Sequence, residues 1–408
     1  MKQDILSSKF PKDDVHHAIS MPVYNSAAFE FATAEETEAA FKGQISAHTY
    51  SRIANPTIEF YEKRVKELSG ASYVTALASG MAAISNTFFC IAQQGMNIVT
   101  SSKLFGNTYG FFLHTMQEFG VEIRFCNMLD LQEVESCIDH NTCALFSEVM
   151  SNPSLEVIDM KALSTITKAK KVPFIVDTTL ISWTSCNARE FGVDIEVVSS
   201  TKYISGGATS IGGLIVDHAT YDWADSPKLN TLSQKFGKAA FNVKLRSDVF
   251  RNIGSCMSPQ TAFMQNSGLE TLELRYNKMS ESCNALAHFL QTCPEIESVI
   301  YSGLEDSRFH ALSLKQFGLH SGALLSFLLK DRETCFRFIN NLKVIRRATN
   351  LFDNKSLIIH PASTIYHSFS EEEKAKVGIP ENLIRLSVGL EDVDLLKEDI
   401  LQALIKTK

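Results

Sequence analysis

One lysine, Lys202, lies in the sequence Ser-Ser-Thr-Lys-Tyr at 199–203, between a strand-like run and a segment rich in glycine and serine at 204–213. A lysine amine that is partly desolvated and close to other cations is partly neutral, so it can form a Schiff base with an aldehyde cofactor or a carbonyl substrate. The hydroxyls of Ser199 and Thr201 could donate hydrogen bonds to a phosphate. A single lysine at a strand end is more often an ordinary surface residue, so the prediction depends on the rest of the chain.

Three other strand-like runs end in residues that suit the same chemistry. The first leads into Ala-Ser-Gly-Met-Ala-Ala at 78–83, a turn of small residues before a helix whose first N–H groups favour a phosphate. A tight turn that needs glycine only for packing explains this segment alone equally well. Asp177 follows four apolar residues, where a carboxylate needs a positive partner such as a protonated pyridine nitrogen, or else local backbone N–H groups. Asn152 could donate to a ring oxygen or to a substrate carboxylate.

Short apolar runs alternate with helical patterns from residue 73 onward, which is typical of an α/β domain with a largely parallel sheet. The predicted strands are 73–77, 98–101, 121–126, 144–149, 173–178, 195–200 and 212–217. Ligands of such sheets bind at the carboxyl ends of the strands. A phosphate-binding turn, a strand-end aspartate and a strand-end lysine together predict one cofactor, pyridoxal 5′-phosphate.

Several motifs spread over nearly the whole chain carry a family resemblance. They are Tyr-Ser-Arg at 50–52, Ala-Ser-Gly-Met-Ala at 78–82, Asp-Thr-Thr at 177–179, Ser-Ser-Thr-Lys-Tyr at 199–203, Lys-Ser-Leu-Ile-Ile-His-Pro-Ala-Ser-Thr at 355–364 and Ile-Arg-Leu-Ser-Val-Gly at 384–389. The chain resembles the pyridoxal-phosphate enzymes of cysteine and methionine metabolism, the trans-sulfuration family. This resemblance implies an α/β structure of fold type I, with a mostly parallel seven-stranded sheet domain and a smaller C-terminal α+β domain.

The resemblance implies catalytic and substrate-binding roles for five residues. Lys202 would hold the cofactor aldehyde and later move protons, while Asp177 would keep the pyridine nitrogen protonated. Arg385 would bind the α-carboxylate of an amino-acid substrate with a bidentate pair of hydrogen bonds. Asn152 and Ser356 would assist Arg385.

The resemblance also implies a set of residues around the cofactor. These are Tyr50, Arg52, Ser79, Gly80, Met81, Phe105, Asn152, Asp177, Thr179, Ser199, Thr201 and Lys202. Tyr50 and Arg52 would reach the phosphate site of a neighbouring subunit, which implies a homo-oligomer, as a dimer or a dimer of dimers. Phe105 departs from the family, which usually has a tyrosine here; phenylalanine can stack on the pyridine ring but cannot transfer a proton. Tyr50 or Tyr109 could replace that hydroxyl, and the segment 206–208 lacks the histidine usual in sulfhydrylases.

Within the family, the segments 209–213, 250–254 and 360–364 most resemble O-acetylhomoserine sulfhydrylases. This implies a γ-replacement in which O-acetylhomoserine, or another O-acylated homoserine, reacts with sulfide or another sulfur nucleophile to give homocysteine or methionine. The alternative is a γ-lyase that acts on methionine or cystathionine. A third interpretation, based on the hydroxyl lost at Phe105, is a catalytically weak protein that binds pyridoxal phosphate.

Length and composition restrict the remaining possibilities. With 408 residues the chain exceeds the roughly 250–300 residues of a single core, so we predict an N-terminal arm (1–55), a large cofactor-binding domain (56–251) and a C-terminal domain (252–408).

The net charge of −7 argues against nucleic acid as a main partner. Nine cysteines without a CxxC pair favour free thiols, no metal site and a reducing, cytoplasmic location. No apolar run approaches the roughly 18 residues that span a bilayer, so we expect no membrane contact.

Overall fold

The computed structural model describes residues 5–7 and 16–407 of the chain. The strands within these residues are β1 (Tyr73–Leu77), β2 (Asn97–Ser101), β3 (Glu122–Cys126), β4 (Thr142–Glu148), β5 (Phe174–Asp177), β6 (Ile195–Val198), β7 (Gly213–Asp217), β8 (Ser298–Ile300), β9 (Leu324–Leu328), β10 (Arg346–Arg347), β11 (Leu357–Ile359) and β12 (Leu383–Ser387). The first seven strands match the predicted ones to within two residues at each end.

The α-helices lie between and after these strands. They are α1 (Ala34–Phe41), α2 (Pro56–Ser69), α3 (Gly80–Ile91), α4 (Gly106–Gly110), α5 (Leu131–Cys137), α6 (Met160–Lys170), α7 (Asn230–Phe236), α8 (Ala240–Lys244), α9 (Phe250–Ile253), α10 (Pro259–Glu270), α11 (Leu272–Gln291), α12 (His310–Phe317), α13 (Arg332–Asn341), α14 (Glu371–Val377) and α15 (Val393–Ile405). Helix α2 begins at Pro56, because the Asn55 side chain accepts from the Thr57 N–H and proline suits the first helical position. Among the described residues, no helix is both long and apolar enough to cross a membrane.

Strands β1 to β7 form one sheet in the order β1-β7-β6-β5-β4-β2-β3. The neighbouring pairs from β6 to β3 run parallel, whereas β7 is antiparallel to both β1 and β6. Successive residues of β5 enter different hydrophobic clusters: Phe174 and Val176 pack on one face, and Ile175 packs on the other. Both faces of the sheet are therefore covered, as expected for parallel strands, and the predicted mostly parallel seven-stranded sheet is confirmed.

The C-terminal part of the chain contains a second sheet of five strands in the order β10-β11-β12-β9-β8. Strands β9 and β12 have five residues each, whereas β8, β10 and β11 have only two or three residues, which is too short to show a periodic pattern. Two long helices precede this sheet and are interrupted at one residue: α10 ends at Glu270 and α11 begins at Leu272.

The predicted boundaries at residues 55 and 251 stay predictions. Within the N-terminal arm, residues 1–4 and 8–15 lie outside the described residues. In its described part, Ala28 forms an isolated antiparallel bridge with Tyr50, which brings the end of the arm back against its middle.

Candidate active site

A cavity of about 720 Å³ lies at the carboxyl ends of β4, β5 and β6, where α/β sheets bind their ligands. The C-terminal segments 349–351 and 363–365 line its other side. The predicted site residues in its lining are Ser79, Gly80, Met81, Phe105, Asn152, Asp177, Thr179, Ser199, Thr201, Lys202 and Arg385. This volume, with a few polar groups among apolar walls, suits a cofactor together with a small substrate.

Lys202 follows β6 and lies immediately before the helical turn Tyr203–Ser205. Its Nζ donates a hydrogen bond to Asn350 Oδ1 at 2.7 Å, across the cavity from the sheet. Burial, together with the positive charge of Arg385, lowers the pKa of Lys202 to about 8, while the charge of Asp177 opposes both effects. A substantial fraction of this amine is therefore neutral near physiological pH, and the neutral form is the one that attacks an aldehyde.

Asp177 ends β5, in register with Glu148 at the end of the neighbouring strand β4. Asp177 Oδ1 accepts from the Thr179 N–H at 2.9 Å, and Glu148 Oε1 accepts from the Phe105 N–H at 2.5 Å. Burial raises the pKa of Asp177 to about 6. Burial and the nearby Asp177 charge raise the pKa of Glu148 well above its ordinary value. Asp177 is consequently the member of the pair that ionises more readily, and its charge disfavours ionisation of Glu148.

The amino end of α3 forms an anion-binding wall of the cavity. Ser79 caps this helix, because its hydroxyl accepts from the Ala82 N–H at 3.1 Å. The Gly80 and Met81 N–H groups belong to the first turn, where a helix offers them no acceptor of its own, and both residues line the cavity. A Cβ atom on Gly80 would lie 2.8 Å from Ser199 Cβ, so only glycine lets the helix approach the lysine segment this closely.

Arg385 lies on β12, only 2% exposed, and its guanidinium lines the cavity. Its Nη1 donates to Asn152 Oδ1 at 3.2 Å, and its Nη2 donates to the carbonyl oxygens of Thr349 and Asn350 at 3.1 and 3.2 Å. Burial lowers the pKa of Arg385 to about 10, so it remains charged at neutral pH. Among the described residues, no carboxylate forms an ion pair with this buried cation and its Nε has no hydrogen-bond partner, so Arg385 is ready to bind an anion.

These groups fit pyridoxal 5′-phosphate. The close contact at Gly80 forms a cradle for the phosphate between α3 and Ser199. Asp177 is a partly exposed carboxylate in the cavity lining whose pKa is raised by desolvation, and a protonated pyridine nitrogen would supply a compensating positive charge. Lys202 supplies the amine for the aldehyde, and the Phe105 ring lines the same cavity, where it can stack on the pyridine ring. Within the described part of the chain, no cluster of His, Cys, Asp and Glu could hold a metal ion.

The structure gives Ser356 hydrogen-bond partners away from the cavity. Ser356 is fully buried, and its hydroxyl donates to Glu391 Oε2 at 2.8 Å and accepts from the Gly389 N–H at 2.9 Å. It lies outside the lining of the cavity, because its side chain points into the turn that follows β12. Ser356 therefore joins two backbone segments in this structure, and its role in substrate binding stays a prediction.

Three predicted aromatic and basic residues lie away from this cavity. Tyr50 is 44% exposed, and the Arg52 guanidinium packs over its ring at 5.5 Å while Arg52 donates to the Arg251 carbonyl oxygen at 2.5 Å. Their predicted role in a neighbouring subunit stays a prediction. Tyr109 stacks on Phe125 with ring centroids 4.9 Å apart, outside the cavity lining, so it is poorly placed to replace the hydroxyl missing at Phe105.

Sequence reasoning missed three titratable or amide side chains in the cavity lining: Glu148, Asn350 and His367. Glu148 was visible as a carboxylate at the end of a predicted strand, the same signal that identified Asp177. Asn350 lies in an irregular segment before β11, and no local pattern indicates that it reaches Lys202. His367 follows the His-Pro-Ala-Ser-Thr motif by three residues, but only the fold shows that it borders the site.

Comparisons with known proteins agree with this geometry. A family model described as "Cys/Met metabolism PLP-dependent enzyme" matches residues 4–405. The chain belongs to this family. It is a pyridoxal-phosphate-dependent enzyme, as the resemblance of its motifs predicted.

Individual members of the Cys/Met metabolism family are similar along almost their whole length. An O-acetyl-L-homoserine sulfhydrylase from Corynebacterium glutamicum is 32% identical over 400 residues, which cover 94% of this chain and 92% of the relative. An L-methionine gamma-lyase from Pseudomonas putida is 34% identical over 389 residues, covering 95% of this chain and 92% of the relative. A solved structure from Campylobacter jejuni, described as an O-acetylhomoserine (thiol)-lyase, superposes with a TM-score of 0.93 at 34% identity and covers 99% of both chains. It contains N′-pyridoxyl-lysine-5′-monophosphate, a lysine joined to the cofactor, and it confirms the predicted fold class.

Proposed function

We propose that this enzyme is an O-acetylhomoserine sulfhydrylase, which replaces the γ-acyloxy group of O-acetylhomoserine, or of another O-acylated homoserine, with sulfide or another sulfur nucleophile. The products are homocysteine or methionine, together with the free acid. One observation carries the proposal: Lys202, Asp177 and the unpaired cation Arg385 line a single cavity. The Corynebacterium and Campylobacter relatives, whose names give this activity, support the choice of substrate.

Each residue contributes a defined step. Arg385 binds the substrate α-carboxylate with its guanidinium, which directs Cα toward the lysine side of the cavity. When bound, pyridoxal phosphate supplies an electron sink for the electron pair left at Cα. The Lys202 amine, with its lowered pKa, takes the Cα proton and returns a proton later in the reaction. The carboxylate of Asp177 would keep the pyridine nitrogen of the bound cofactor protonated.

Phe105 cannot take part in the proton transfers that follow the one at Cα. It lines the cavity and can stack on the cofactor, but it carries no acidic hydrogen. Lys202 and His367 place an amine and an imidazole in the lining, and both kinds of group can act as general acids or bases. We assign proton transfer at the γ-position to one of these two groups.

A γ-lyase is the second candidate, because the Pseudomonas methionine gamma-lyase is as similar to this chain as the sulfhydrylase is. Both reactions require the same removal of protons and loss of the γ-substituent. They differ in whether a sulfur nucleophile or water ends the reaction. In the lyase reaction the products are a 2-oxo acid, ammonia and the thiol that leaves from the γ-carbon.

A product analysis separates these functions. The purified enzyme, loaded with pyridoxal phosphate, is incubated with O-acetylhomoserine with and without sulfide, and separately with methionine. Homocysteine that forms only with sulfide supports the sulfhydrylase. Release of 2-oxobutanoate from methionine without sulfide supports the lyase instead. No turnover of any substrate, despite bound cofactor, contradicts both and favours a protein that only binds pyridoxal phosphate; Lys202→Ala is the matched inactive control.

We further propose that the enzyme acts as a cytoplasmic homo-oligomer. The nine cysteines form no disulfide, which suits a reducing compartment. Tyr50 and Arg52 lie on the surface, where they are available to a second subunit, as the family resemblance implies. Light scattering of the purified protein measures the assembly, and a monomer with full activity would contradict it.

A further inference from the structure

Phe352 has a backbone conformation that is unusual for its residue type. Its φ is +58°, in the left-handed region that favours glycine. Its side chain is only 1% exposed, so the ring is fully buried. A bulky residue stays in this conformation only when surrounding contacts hold it there.

Two contacts hold Phe352. Its ring stacks on Tyr203, with centroids 3.9 Å apart and planes 13° apart, and its N–H donates to Ser387 Oγ at 2.7 Å. Tyr203 is itself fixed, because its hydroxyl accepts from the Ala323 N–H at 2.9 Å and its ring packs edge-on against Tyr276 at 4.9 Å. The stack therefore joins two rigid parts of the protein.

The stacked residues adjoin the reactive groups. Tyr203 directly follows Lys202, and Phe352 follows Asn350 by two residues. Asn350 Oδ1 accepts from Lys202 Nζ, and the carbonyl oxygen of Asn350 accepts from Arg385 Nη2. The 349–351 segment thus contacts both the amine and the carboxylate-binding guanidinium, and the Phe352 ring secures its far end.

We propose that Phe352 is a positioning residue, whose stack on Tyr203 holds the 349–351 segment against Lys202. This segment in turn fixes the relative position of the lysine amine and the Arg385 guanidinium and shields both from water. The inference rests on the assignment of Lys202 as the reactive amine, and it does not depend on which amino acid is the substrate. It predicts that removal of the ring hydrates the amine. The charged or titratable groups that face Lys202 across the cavity are Arg385, Asp177, Glu148 and His367, and none of them is changed by the test.

The test uses the apoprotein and measures each lysine separately. Trace labelling with acetic anhydride across a pH series, followed by peptide mass spectrometry, gives the apparent pKa of Lys202. In the unaltered chain this pKa is about 8 because of burial. Phe352→Ala and Phe352→Gly are expected to raise it by at least about one unit, so that labelling of Lys202 at pH 8 falls about fivefold. Phe352→Tyr, which keeps a stacking ring, is expected to retain the original value.

Phe338→Ala is the matched control. Phe338 is also a fully buried phenylalanine and packs against Phe327, away from the cavity lining. If Phe352→Ala and Phe338→Ala both lower the unfolding temperature while neither changes the labelling of Lys202, Phe352 is only a core residue and the proposal is overturned. A rise of the Lys202 pKa in Phe352→Tyr as large as in Phe352→Ala would also overturn it. Because glycine readily adopts a φ of +58°, Phe352→Gly provides a folded variant if the alanine variant is unstable.

Discussion

Glu148 and Asp177 are register partners at the ends of two neighbouring parallel strands, so their Cα atoms lie about 4.8 Å apart and two carboxyl groups border one cavity. Two such groups do not ionise together readily. The pKa of Asp177 is raised to about 6 by burial, while that of Glu148 is raised well above its ordinary value by burial and by Asp177. Asp177 is therefore the carboxyl group that more readily supplies a negative charge to the cofactor.

Glu148→Gln is expected to leave the affinity for pyridoxal phosphate at pH 7 within about threefold of the original, because a neutral amide resembles the protonated acid. Its Oε1 can still accept from the Phe105 N–H. Glu148→Ala removes that acceptor and is expected to weaken binding about tenfold, since a buried N–H is left unpaired. Fluorescence titration of the apoproteins measures both. Equal losses in the two variants would mean that Glu148 acts as an anion.

Asp177→Asn is expected to make the apoprotein more stable at pH 7 while it weakens cofactor binding. The pKa of Asp177 in the folded apoprotein is about 6, above its ordinary value of 3.8, so the folded state must hold a poorly compensated anion above pH 6. The stability linked to this group is present below about pH 4 and is lost as pH rises to 6. The variant is thus expected to gain roughly 1–3 kcal/mol at pH 7 and nothing at pH 4, as measured by urea unfolding. A variant less stable than the original at pH 7 contradicts this account.

Arg385→Lys is expected to raise KM for the amino-acid substrate and to lower kcat/KM about 10- to 100-fold, because lysine cannot form the bidentate pair with a carboxylate. The effect should persist with substrates that differ only at the γ-position. Arg346→Gln, an exposed arginine in the same sheet, is the control and should leave both constants unchanged. An unchanged KM in Arg385→Lys would place the carboxylate elsewhere.

Ser356→Ala tests whether Ser356 binds the substrate or only supports the fold. The variant loses the hydrogen bond to Glu391 and leaves the Gly389 N–H without its acceptor. We expect the free energy of unfolding to fall by about 1–3 kcal/mol while KM stays the same. A change in KM without a change in stability would place Ser356 in the substrate site.

The sequence was sufficient to predict the strands of the large sheet and several of the site residues that follow them. Lys202, Asp177 and Ser79 each follow an apolar run, and the topology of parallel strands brings such positions to one edge. The hydrogen bonds of Ser356 could not be predicted, because the direction of its side chain depends on Glu391, which is 35 residues away in the sequence. Local pattern contains no information about that partner.

The contact between Asn350 and Lys202 could not be predicted from the sequence either, because 148 residues separate them and the segment that carries Asn350 has no periodicity. The second sheet was only partly predicted for a related reason. Strands β10 and β11 are held by their neighbours and by the core beneath them, and their own two or three residues carry little signal.

The antiparallel strand β7 has a consequence for how the enzyme becomes able to bind its cofactor. Gly213 at its start packs so closely on the Ser79 carbonyl oxygen that a Cβ atom would lie 2.0 Å away, and the next residue, Leu214, pairs with Val198. The turn after β1 and the lysine segment after β6 are thus brought together only when β7 inserts between them. During synthesis, a chain shorter than about residue 217 lacks the strand that closes the phosphate cradle. Binding of the cofactor therefore indicates that the seven-stranded sheet has formed.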